Sequence, residues 1–217
     1  MPEFSVTSRN QVKRLAKRAS YDRDVIHRII DEALICHVGF VEEEQPFVIP
    51  TIHARSDETL LLHGAKASRL LKHVAAGNPI CVAMTILDGI VFARSAFHHS
   101  LNYRSAVVFG RGHELVTPED KLRALEIITN HVAPGRWAEA RRPNAQELEA
   151  TTVVSVAIES ASAKTRTGGP IDDEDDYDFP VWAGVLPLKQ MAESALADSR
   201  LMGGIELPEY VANYRRG

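Results

Sequence analysis

The chain has 217 residues and a mass of 24.0 kDa, long enough to bury about 70% of its unfolded surface in one core. With 45% hydrophobic and 25% charged residues its composition is that of an ordinary globule, which excludes disordered, collagen-like and coiled-coil classes. A net charge of -4, from 25 basic and 29 acidic residues, gives no general attraction to nucleic acid or anionic membranes, so any anion site must be local.

Met1 to Asn10 is polar and leads into a basic run without an apolar signal-like core, so a cytoplasmic location is expected. Arg9–Ser20 spaces Val12, Leu15, Ala16 and Ala19 as a helix would, and Asp22–Ala33 repeats the pattern with Val25, Ile26, Ile29 and Ile30. Ser20 or Asp22 is placed to cap the second helix. Short β-branched runs then follow at Leu34–Val41, Phe47–Ala54, Thr59–His63, Ile80–Leu87, Phe92–His99, Ser105–Leu115 and Val153–Thr165. The connections at Glu42–Gln45 and Arg55–Glu58 are too short for helical crossovers, so neighbouring strands should be antiparallel. Two helices interrupt them. Lys66–Ala76 ends at Gly77, and Pro118–Val132 begins with a proline suited to a first helical turn. Pro79–Phe92, the longest apolar stretch, is shorter than a membrane span. Cys36 and Cys81 are too far apart in sequence for a close-spaced zinc or redox pair and read as core residues. The expected fold is mainly β: a Greek-key-like barrel with flanking helices, an N-terminal helical segment over residues 1–33, the barrel over residues 34–190, and a tail over residues 191–217 that packs on the barrel or on a partner subunit.

No dinucleotide, P-loop, nucleophile-elbow or zinc-protease signature is present, and Gly110-Arg111-Gly112 is no more than a strand bulge. His98 and His99 are adjacent and would point to opposite faces of a strand, so no metal site is expected. Three segments carry chemistry. In Leu60–Leu70 a strand passes through His63 and Gly64 into a helix bearing Lys66, Ser68 and Arg69 in its first turn. Cations there suit a phosphate met by backbone N–H, hydroxyl and guanidinium together; the alternative is that Ser68 caps and the cations are solvated. Asn102, Tyr103, Arg104 and Ser105 form a polar and aromatic set suited to a planar ligand, or an ordinary strand entry. Trp182 lies between prolines after an acid-rich loop and is either a core anchor or a ring wall.

In their order, Pro50-Thr51-Ile52-His53-Ala54, Leu62-His63-Gly64-Ala65 with Ser68-Arg69, Asn78-Pro79, Asn102-Tyr103-Arg104-Ser105 with Phe109-Gly110, and Val181–Pro187 resemble the flavin-binding split-barrel family related to pyridoxamine 5'-phosphate oxidase, particularly the branch of the nitroimidazole-resistance proteins. The resemblance covers about Leu34 to Leu188. It implies a homodimer of six-stranded split barrels with FMN bound noncovalently at the subunit interface. Thr51, Ile52 and His53 would face the isoalloxazine, and His63 and Gly64 would continue that wall. Ser68 and Arg69, with Lys66, would take the phosphate. Asn102, Tyr103, Arg104 and Ser105 would come from the second subunit, and Trp182 would close the pocket. The basic C-terminal segment with which the oxidase itself holds its substrate has no counterpart, so vitamin B6 oxidation is not expected. Two functions follow: an oxidoreductase acting on a small planar substrate, nitroaromatic-like or pyridoxal-like, with no residue singled out as catalytic; or a flavin or haem carrier or sensor, with His53, His63, His98 or His99 available to haem iron.

Overall fold

The computed structural model describes residues 3–216. Among residues 3–33 the helical part is a 3-10 turn and one helix at the end of the segment. The helix expected over Arg9–Ser20 does not form: Leu15 adopts a left-handed φ of 55°, and a single 3-10 turn spans Ala16–Arg18 before the two-residue strand β1 (Ala19–Ser20). The apolar residues of that stretch share no buried face; Asn10 is the anchor, buried and donating to Ser5 O and Ala161 O at 3.0 and 3.1 Å. A side-chain amide has taken the place of an apolar stripe.

Helix α1 (Arg23–Glu32) forms as its pattern requires. Asp22, not Ser20, caps it, accepting from the N–H groups of Asp24 and Val25, and Ile26, Ile29 and Ile30 fill the core. Strands β2 (Ile35–Glu42) and β3 (Gln45–Ile52) form a hairpin whose two turn residues, Glu43 and Glu44, both have positive φ, as a tight hairpin demands. β4 (Ala54–Ser56) and β5 (Thr59–Ala65) form a second hairpin, and α2 (Arg69–Ala75) follows. β6 (Pro79–Phe92) and β7 (Ser100–Glu114) make one long hairpin with an irregularity between Leu87 and Gly89. The strand expected at Phe92–His99 is therefore absent: β6 runs straight through Asp88-Gly89, and the 3-10 turn Ala96–His98 reverses the chain.

α3 (Pro118–Val132) has Thr117 as its cap. After α4 (Arg136–Glu139) and α5 (Ala145–Ala150) the single run expected at Val153–Thr165 resolves into β8 (Thr151–Ala157) and β9 (Ser160–Arg166). β7 is the reason. Its first part pairs with β9 from Tyr103 to Phe109, and its last part with β8 from Gly112 to Glu114, so the partner strand breaks where it passes from one half-barrel to the other. β10 (Gly184–Pro187) and α6 (Glu209–Ala212) complete the chain.

All pairings are antiparallel, in the order β3-β2-β6-β7-β8-β5-β4, with β9 also on β7, β10 on β6 and β1 on β9. The fold is a split barrel with helices outside. Ile26, Ile30, Leu60, Leu62, Val82, Met84 and Val108 fill the main core, and a smaller cluster of Leu61, Ala124, Ile128 and Val153 lies under α3. Cys36 is buried, its thiol pushed up to about 12 by that burial. No helix among the described residues is long and apolar enough to cross a membrane.

Candidate functional site

The barrel is open between two strand edges. Among the described residues β3 pairs with no strand but β2, and Leu62–Ala65 of β5 with no strand but β8, because β4 covers β5 no further than Thr59–Leu61. β4 pairs Ala54 with Leu61; carrying that register back through His53 sets Ile52 and Thr51 level with His63 and Gly64. Two rows of unpaired backbone N–H and C=O groups thus face a common slot, an arrangement suited to the polar rim of a flat ligand. α2 begins where the slot ends.

The phosphate set is partly assembled there. Arg69 lies beside the slot, its guanidinium 4.4 Å from the Phe47 ring and 3.2 Å from Glu42. Ser68 acts as the helix cap, accepting from Leu71 N–H at 3.4 Å. Lys66 does not join them: it lines a shallow pocket of about 490 Å³ with Glu114, Pro118, Lys121 and Glu149. Its backbone N–H donates to Ala150 O, which turns it toward α5.

His63 is half-buried, and its Nδ1 has no partner among the described residues. Burial holds its pKa below the ordinary histidine value, so the ring is neutral at pH 7. His53 cannot offer its side chain to a ligand in the slot. It is fully buried, with Nε2 3.0 Å from Ile30 O and its ring centroid 5.2 Å from that of His131, because the turn from β3 into β4 tucks it beneath α1.

The Asn102–Ser105 set is divided by strand alternation. Asn102 is buried, donating to Gly168 O at 3.1 Å and accepting from Arg166. Tyr103 is half-buried in register with Leu87 and Arg166. Ser105 donates to Lys164 O at 3.2 Å. Arg104 reaches a cavity, a groove of about 740 Å³ bounded by the end of α1, the outer faces of β2 and β6, and the chain after β10. There it holds Asp88 at 2.7 and 2.9 Å and also pairs with Glu32, and these bonds push its pKa further up.

Trp182 is 69% exposed, its ring 5.7 Å from Phe92. It is not a core anchor. Trp137 fills that role at 8% exposure. His98 sits on the 3-10 turn with Nε2 3.2 Å from Asp173, while His99 Nδ1 meets Ser95 O at 3.0 Å. The loop bearing Asp173 is fixed by Asp172, which accepts from Arg94 N–H and guanidinium and from Ser95 N–H.

Sequence reasoning missed the groove. Glu32 and Arg104 are 72 positions apart, and nothing local signals their meeting. Arg216 on the groove wall donates to the carbonyls of Asp31, Glu32 and His131, capping the C-terminal ends of α1 and α3.

The chain matches the family model of pyridoxamine 5'-phosphate oxidase over residues 22–165. No curated protein matches it. Among solved structures it is similar to the flavocytochrome Anf3 from Azotobacter vinelandii, at 37% identity and a TM-score of 0.91, over 97% of this chain and 98% of that one. It is also similar to an FAD and heme binding protein from Mycobacterium smegmatis, at 33% identity and 0.85, over 90% and 96% of the two chains. A 5-nitroimidazole antibiotic resistance protein from Bacteroides thetaiotaomicron shares the fold at 23% identity and 0.56, over 67% and 85%.

Proposed function

The chain belongs to the pyridoxamine 5'-phosphate oxidase family, and from that premise we propose that it is a flavin-dependent oxidoreductase that also carries haem. The observation that carries the flavin is the slot between β3 and β5, with two facing unpaired strand edges and Arg69 at one end. The haem is supported by the two relatives that share 37% and 33% identity over nearly the whole chain, one a flavocytochrome and the other an FAD and heme binding protein.

FMN and FAD share the isoalloxazine and the first phosphate, the parts to which the slot and Arg69 are suited. We favour FAD over FMN because the second of those relatives is named for FAD. Bound flavin supplies hydride and electron transfer. The chain's own share is positional: the β3 and β5 backbones hold the ring edge, and neutral His63 presents an imidazole beside Gly64. Arg69 meets a phosphate with a charge-assisted bond. A second copy of the chain covers the slot from outside, bringing apolar surface and Trp182 against the ring and excluding water. The acceptor is small and planar.

The test begins with the absorption spectrum of the purified protein, where flavin gives broad bands and haem an intense Soret band. Heat-released flavin is then identified by chromatography before and after phosphodiesterase treatment. FAD with haem is the expected result. A colourless protein that takes up neither added flavin nor hemin would overturn the reading, and release of FMN alone would overturn the FAD assignment.

A further inference from the structure

Taking haem binding from the reading above, the remaining question is where this chain places it. A haem needs a flat apolar slot, an imidazole free to meet iron, and cations for two carboxylates. The groove at the end of α1 offers all three. Ile35 on β2, Ile52 on β3 and Leu87 on β6 form its apolar wall, and Leu188 stands at the groove from the segment after β10. At about 740 Å³ it lies within the range of small-molecule sites.

His37 is on that wall. It is two residues from Ile35 on β2, so both project from the same outward face. It is exposed, and among the described residues its ring makes no hydrogen bond. Among the described residues no other histidine lines the groove. His53 binds Ile30 O, His73 binds Pro79 O, His131 binds Ala33 O, and His98 and His99 are held on an exposed turn. His63 belongs to the slot between β3 and β5. Cations also stand at the groove: Arg104, tethered by Glu32 and Asp88; Arg216, tethered by carbonyls; and Lys189, which has no ion pair among the described residues.

We propose that this groove is the haem site and that His37 is the iron ligand. The flavin slot and the haem groove then meet at β3, whose backbone edge faces one and whose Ile52 side chain lines the other.

The experiment uses the full chain, stripped of haem and titrated with hemin, comparing wild type, His37→Ala, His37→Gln and His63→Ala. Flavin content and thermal midpoint are read on the same samples. Both His37 variants should shift the Soret band and retain haem at least about tenfold less well, a loss that even outer partners of a metal ligand can cause. Their flavin content, and their midpoint before hemin is added, should match wild type. Added imidazole should return His37→Ala to the wild-type Soret band, and His63→Ala, whose flavin content is read separately, should keep that Soret band. A wild-type spectrum and affinity in both His37 variants would overturn the assignment and leave haem binding intact. A wild-type protein that takes up no hemin would overturn haem binding itself, leaving the flavin reading to its own test.

Discussion

His53 is a buried imidazole whose pKa is lowered to about 4, first by burial and then by the positive surroundings of His131 and Arg216, against the opposing bond to Ile30 O. A depressed folded-state pKa means that the neutral ring stabilises the fold above the unfolded value of about 6.5, and that this is lost as pH falls from there toward about 4. The loss attributable to His53 should reach on the order of 2 to 3 kcal/mol by pH 4. Denaturant unfolding at pH 7 and pH 5 checks it: His53→Gln, which keeps a donor for Ile30 O without titrating, should lose less stability over that interval than wild type. Arg69 makes the opposite kind of contribution. Its ion pair with Glu42 is half exposed, so Arg69→Ala should change stability by less than about 1 kcal/mol. If it holds a flavin phosphate, the same substitution should weaken flavin binding by about 1.5 to 3 kcal/mol in a fluorescence titration. Unchanged affinity would remove Arg69 from the site.

Among the elements, β7 carries the geometry. Where its partner changes from β9 to β8, a Cβ on Gly110 would lie 1.9 Å from Ala157 O, and one on Gly112 2.5 Å from Val74. Both also meet backbone, since the Gly112 Cβ would lie 2.8 Å from Ser155 O, but the clash at Gly110 is the closer. Gly110→Ala should therefore cost at least about 1 to 3 kcal/mol in equilibrium unfolding. Much of this architecture was legible. α1 and α3 follow from apolar spacing and their start signals, and the hairpins from short polar turns. What was not legible has physical causes. Residues 9–20 carry helical spacing, but the fold anchors them through buried Asn10, a tertiary bond that periodicity cannot register. β8 and β9 read as one run because they continue one another along β7. α5 did carry a signal, the Asn144 and Glu147 capping box. At the candidate site, strand register sets Ile52 and Thr51 level with His63 and Gly64, and Arg69 lies over Phe47 of β3, whereas Lys66 turns toward α5 and His53 is buried beneath α1. Arg104 was visible only as a residue, since its carboxylate partners come from α1 and β6.

At the scale of the molecule, large apolar side chains remain uncovered on the outer sheet and beyond: Val41, Val48 at 67%, Leu186, Phe179 and Trp182. Exposed apolar surface of this kind suits the second copy proposed above. Sedimentation at low micromolar concentration should report about twice 24.0 kDa, and Val48→Asp should reduce that mass while leaving circular dichroism unchanged. Trp182 offers an optical reading of the same assembly. Flavin binding should quench its fluorescence strongly, and Trp182→Phe should abolish most of that quenching while Trp137→Phe should not. Equal quenching in the two variants would remove Trp182 from the pocket.

The β6–β7 hairpin also sets the order in which the barrel can be completed on the ribosome. The hairpin closes locally, but the other edge of β7 waits for residues 151–166. At about 5 to 20 residues per second, the 52 positions between Glu114 and Arg166 leave a 15-residue strand bare on one side for roughly 3 to 10 s. That interval is long beside microsecond hairpin formation and ample for intermolecular pairing of edges. Synonymous slow codons placed between residues 115 and 150 should lower the soluble yield of an otherwise identical protein, and fast codons there should raise it.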